Sequence, residues 1–117
     1  MATAPQIAKL LSSRRFASLE DEKRLQAEIM QALQDAGIPA VREYSRDQVN
    51  IFDFYIDGIV IEVKIKGAKR AIYKQCERYS LLDYCRDIIL VTNVSMGFPS
   101  EINEKPCYVI NLGKAWL

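Results

Sequence analysis

The chain has 117 residues, half of them hydrophobic, with a formal net charge of +1. That suffices for one domain with its own core, while so small a net charge does not mark a nucleic-acid binder by itself. Three cysteines and no histidine exclude histidine acid–base chemistry, Ser-His triads and zinc–histidine sites, leaving carboxylates, lysine, tyrosine or a metal to carry any catalysis.

Residues 1–17 predict only a short helical turn around Ile7 to Leu11, loosely packed. A full helix is expected from about Ser18 to Ala36, with Ser18 as N-cap, acidic residues in the first turn and Gly37 as the stop. Its inward stripe is Leu25, Ile29, Ala32, Leu33 and Ala36. A strand follows at Ala40–Tyr44, then a hairpin over about Asn50–Lys66. A second helix is expected over Lys69–Tyr84, with Ile72, Cys76, Tyr79 and Leu82 inward. "DIILVTN" is a short continuous apolar run, typical of a strand covered on both faces. "CYVINL" gives a last strand. The order α-β-β-β-α-β-β predicts a single α/β domain over residues 1–117, with a mixed central sheet flanked by helices.

No apolar run approaches the ~18 residues of a membrane span, and the N-terminus lacks a signal-peptide core. Cys76, Cys85 and Cys107 are odd in number, far apart and without a CxxC pair. That suits reduced thiols in a cytoplasmic protein.

The hairpin carries the chemistry. Asp57-Gly58 between two alternating runs is a strong two-residue turn signal, because both positions of a type I′ turn need φ > 0. With that loop Ile56 pairs with Ile59, Tyr55 with Val60 and Phe54 with Ile61, and Asp53 falls opposite Glu62. Side chains alternate faces along a strand. One face then gathers Phe52, Phe54, Ile56, Ile59, Ile61 and Val63. The other gathers Asp53, Tyr55, Val60, Glu62 and Lys64. Like charges directly opposed destabilise a sheet, and a divalent cation would offset the repulsion between Asp53 and Glu62. From Lys64 to Arg78 six cations stand against one anion, Glu77. Such a run fits either a solvated helix face or a polyanion-binding surface.

An aspartate late in one strand, Glu62-Val63-Lys64 in the next, and a glutamate-bearing helix before them resemble the PD-(D/E)XK nuclease superfamily, whose αβββαβ core matches the order from Ser18 to Thr92. Gln75-x-x-x-Tyr79 resembles the Gln-x-x-x-Tyr element of its RecB-like exonuclease branch. The overall size and order also resemble archaeal-type Holliday junction resolvases and stand-alone VRR-NUC nucleases. Phe52 stands where the signature has proline. The resemblance implies a restriction-endonuclease-like fold and a Mg²⁺-dependent deoxyribonuclease, with Mn²⁺ able to substitute. It assigns Asp53, Glu62 and the Val63 carbonyl to the metal, and Lys64 to the attacking water or the phosphate. Glu22 is preferred as the helix acid because it falls on the inward stripe. Glu28 lies at the stripe's edge and is expected to be solvated.

Gln75 joins the catalytic set, and Lys66, Lys69, Arg70, Lys74 and Tyr79 are expected to contact DNA. Tyr79 on an inner stripe equally fits core packing. Tyr55 either lines the site or covers the sheet, and Asp57 is turn chemistry. Three thiols are too few for an iron–sulfur cluster. In so short a chain the expectation is structure-specific or exonucleolytic cleavage, alone, as a homo-oligomer such as a dimer, or within a larger complex. Two other classes compete: a non-catalytic nucleic-acid-binding or assembly protein on the same fold, and a plain α/β domain in which the facing acids are accidental.

Overall fold

A computed structural model describes residues 2–113; Met1 and residues 114–117, included in the expected single domain, lie outside the described residues. The elements are α1 (Ala4–Ser13), α2 (Glu22–Asp35), β1 (Val41–Tyr44), β2 (Phe52–Ile56), β3 (Ile59–Lys64), α3 (Lys69–Ser80), β4 (Asp87–Thr92), β5 (Glu101–Ile102) and β6 (Lys105–Asn111). The strands form one sheet in the order β1-β2-β3-β4-β6-β5. β1, β2 and β3 pair antiparallel, whereas β3–β4 and β4–β6 are parallel, so the sheet is mixed as expected. A parallel neighbour requires a crossover, and α3 supplies it between β3 and β4. α1 and α2 pack against one face of the sheet and α3 against the other. β4 has helices over both faces, and Ile88, Ile89, Leu90 and Val91 are all fully buried.

Three expectations about helices need correction. The N-terminal segment is a ten-residue helix, not a loose turn. Thr3 and Gln6 close a capping box at its start, and Ile7 and Leu11, one turn apart, are buried in the core. The N-cap of α2 is Asp21, whose carboxylate accepts from Arg24 N, and not Ser18. The cause is Glu28, half-buried and not freely solvated, which accepts from Ala17 N (2.8 Å) and Ser18 N (2.9 Å) and holds that segment outside the helix. Burial pushes the Glu28 carboxyl up, but these hydrogen bonds outweigh it and its pKa is lowered. α3 ends at Ser80, four residues early. The Ser80 hydroxyl donates to Glu77 O, and the last turn tightens through Leu81 N–H to Arg78 O and Leu82 N–H to Tyr79 O.

The hairpin has the expected register: Ile56 with Ile59, Tyr55 with Val60, Phe54 with Ile61. Asp57 (φ 44°) and Gly58 (φ 92°) form its left-handed turn. The ladder then stops. Asp53 and Glu62 are not a strand pair, and on the other side Glu43, at φ 51°, interrupts β1 opposite Asp53. Alternation breaks with it. Phe52, expected beside Phe54, lies on the α3 face with Tyr55, its ring centre 4.8 Å from that of Tyr79.

Candidate active site

Beyond Ile61, β3 has lost its partner on the β2 side, and its exposed donors are taken by carboxylates. Val63 N donates to Asp53 Oδ2 (2.7 Å) and Ile65 N donates to Glu22 Oε1 (3.1 Å). Asp53 N in turn donates to Glu62 Oε1 (3.2 Å). The break in the sheet therefore gathers Glu22 from the first turn of α2, Asp53 from β2 and Glu62 from β3 around one end of β3. Asp53 and Glu62 are neighbours, as the turn register suggested. They meet through side-chain-to-backbone hydrogen bonds and not as a cross-strand pair. Among the described residues no group of three or more His, Cys, Asp or Glu side chains could hold a metal ion. Glu22 is thus an outer member, and the acidic donor pair is Asp53 and Glu62.

That pair is electrostatically unbalanced. Glu62 is 2% exposed. Burial, and then the charge of Asp53, pushes its carboxyl up to about 8. Burial also raises Asp53, and Glu22 adds to the shift, while Val63 N–H and Lys64 oppose it. The nearest cation is Lys64, its Nζ 3.9 Å from Glu62 Oε2 and its side chain partly exposed. Two adjacent carboxyls removed from water cannot both ionise without a further positive charge. Hard oxygen donors in that condition fit Mg²⁺, which takes one or two carboxylates and completes its shell with water.

α3 meets the pair from above. Gln75 Nε2 donates to Tyr79 Oη (2.9 Å), and Tyr79 Oη lies within hydrogen-bonding distance of Ile51 O (3.1 Å) and Glu62 Oε2 (3.4 Å). Tyr79, expected among the DNA contacts, is only 2% exposed and cannot reach one; it is a buried partner of Glu62. Tyr79→Phe should cost about 1–3 kcal/mol of stability in urea denaturation, because the Ile51 carbonyl and the Gln75 amide lose their partner together. Tyr55 covers the sheet, its hydroxyl donating to Tyr84 O.

Gln75 also lines a groove of about 340 Å³ together with Lys64, Lys66, Gly67, Lys74 and Arg78. No acidic residue lines it. Lys69 and Arg70 are exposed on the first turn of α3, outside the groove lining. Arg78, the last cation of the basic run, joins the groove lining beyond the expected DNA contacts. Its place three residues beyond Gln75, on a neighbouring helical ridge, was the available signal. The three thiols are free and buried; burial lifts Cys76 and Cys85 to about 12 and Cys107 to about 11, which removes them as nucleophiles near neutral pH.

Among the described residues no helix is long and apolar enough to cross a membrane. No family model, curated protein or solved structure matches the chain.

Proposed function

We propose that this protein is a Mg²⁺-dependent deoxyribonuclease of the PD-(D/E)XK type with a restriction-endonuclease-like fold, acting in the cytoplasm on DNA ends or distorted DNA. One observation carries the proposal: a mutually repelling carboxyl pair, buried Glu62 and half-buried Asp53, beside Lys64 at the edge of a groove lined by cations. Asp53, Glu62 and the Val63 carbonyl would hold the metal. When bound, Mg²⁺ or Mn²⁺ would neutralise charge developing on the scissile phosphate and lower the pKa of a coordinated water.

The chain's own residues do the rest. Lys66, Lys74 and Arg78 draw the phosphate backbone into the groove, and Lys69 and Arg70 extend that positive surface over the helix start. Lys64 lies between groove and acid pair, from where its ammonium would reach the attacking water or a phosphate oxygen. Glu22 fixes the end of β3 through Ile65 N, and Asp53 fixes Val63. Gln75 and Tyr79 orient Glu62 from the helix side.

Lys64→Ala should cut single-turnover cleavage strongly while weakening DNA binding only slightly, since such a group acts where charge develops. Lys69→Ala should do the reverse, lowering affinity and flattening the log–log salt slope by ~0.7–0.9. The assay uses labelled single-stranded, duplex, nicked and four-way DNA with Mg²⁺ or Mn²⁺. Normal cleavage by Lys64→Ala at saturating DNA would remove lysine from the mechanism. A non-catalytic DNA-binding role is favoured by one feature, that Asp53 and Glu22 already accept backbone N–H groups and so have a structural use. DNA binding without metal-dependent cleavage of any of the four substrates would select it.

A further inference from the structure

The loop between β1 and β2, residues 45–51, carries two large apolar side chains in water: Val49 is 81% exposed and Ile51 51%. The loop is heavily braced. Asp47 Oδ1 accepts from Val49 N (2.9 Å) and Asn50 N (2.7 Å), its Oδ2 accepts from Asn50 Nδ2 (2.8 Å), and Ser45 Oγ accepts from Gln48 N (2.8 Å). Arg46 anchors the loop's first half: its guanidinium lies 4.5 Å from the centre of the Tyr84 ring and its Nε donates to Tyr44 Oη (2.7 Å). Exposing valine on a braced tip contributes nothing to the core, so the fold gives no account of it.

Its position does. Ile51 O accepts from Tyr79 Oη, which accepts from Gln75, and Gln75 lines the cationic groove. The last residue of the loop and the groove are thus joined through one buried tyrosine, with Glu62 against the same hydroxyl. A strand whose phosphates lie along Lys66, Lys74 and Arg78 carries bases to one side, and bases offer apolar faces that an aliphatic side chain can cover once they are unstacked.

We propose that this loop is a wedge that unstacks bases of the bound strand, with Val49 as the inserted side chain and Ile51 packing behind it. The proposal rests on the groove binding nucleic acid. It narrows the substrate class to DNA that can be opened locally, such as ends, nicks and junctions.

The test is fluorescence of 2-aminopurine placed at successive positions in nicked and blunt duplexes, with metal omitted so that no strand is cut. Wild type should give a several-fold rise at one or two adjacent positions. Val49→Ser should lose that rise at saturating protein while its melting temperature stays unchanged. An equal rise in wild type and Val49→Ser would overturn the wedge, although the nuclease reading would stand. A wild type that binds no DNA would overturn both. Sedimentation of both proteins without DNA covers a second copy as the tip's occupant: a dimer that Val49→Ser dissociates would overturn the wedge in favour of self-association.

Discussion

Asp53→Asn and Glu62→Gln are each expected to lower metal-dependent cleavage by about 10²–10³ or more, the scale of losing one group that stabilises transition-state charge. The same substitutions should leave the fold intact. Glu62→Gln should even stabilise the metal-free protein, and the amount should depend on pH. In the unfolded chain Glu62 has its ordinary pKa near 4.5, whereas in the folded protein it is near 8. Below about 4.5 the carboxyl is protonated in both states and costs nothing. Between these values only the folded chain holds the proton, so stability falls as pH rises, by about 1.4 kcal/mol per unit of pKa difference. Above pH 8 the whole cost is felt. Glutamine has no proton to lose. Wild type and Glu62→Gln should therefore melt together near pH 4 and diverge toward pH 8.5, the variant being more stable by a few kcal/mol. Melting temperatures that fall for both variants at pH 8.5 would mean that the acids serve the fold.

The second large effect concerns the N-terminal helix. Ile7 is completely buried in the core cluster that holds Leu25, Ile29, Ile89 and Val91. Ile7→Ala should cost about 2–5 kcal/mol, the range for truncating an aliphatic side chain in a packed core. In a domain of this size that lowers the melting temperature by roughly 10 °C or more. A shift of a degree or two would show that α1 is an appendage, as the sequence had suggested.

Ile7 and Leu11 have helical spacing, and Thr3-x-x-Gln6 is a capping-box pattern, so the helix was legible locally. Its importance was not, because the surface it covers is assembled from β4 and β6, at the far end of the chain. The hairpin was legible for the opposite reason. Its partners are adjacent in sequence, and Asp57-Gly58 fixes the pairing by turn geometry alone.

The failure at Asp53 marks where local rules stop. Phe-Asp-Phe-Tyr alternates smoothly, with no glycine or proline to announce a break, and nothing in Glu43 signals a left-handed backbone. The break follows from competition for donors: the Asp53 and Glu22 carboxylates take N–H groups of β3, and Glu62 takes the N–H of Asp53. Glu22 was found through the apolar stripe, yet it acts from the first helical position, a place set by Glu28 holding Ala17 and Ser18 aside. Tyr79 and Gln75 show the same limit. Their shared face follows from spacing, but spacing does not show that the Tyr79 hydroxyl, held by Gln75, meets Glu62, nor that Phe52 crosses to the α3 side to pack on the Tyr79 ring.

If Asp53 and Glu62 form a cation site, calorimetric titration of Mn²⁺ at pH 7, in two buffers of different ionisation enthalpy, will detect it. Glu62 holds its proton at that pH, and a ligand to a metal must be deprotonated. The expected result is saturable binding with a heat that differs between the buffers by close to one released proton, and loss of both in Glu62→Gln. Mn²⁺ binding that is absent, or unchanged in Glu62→Gln, would contradict the account.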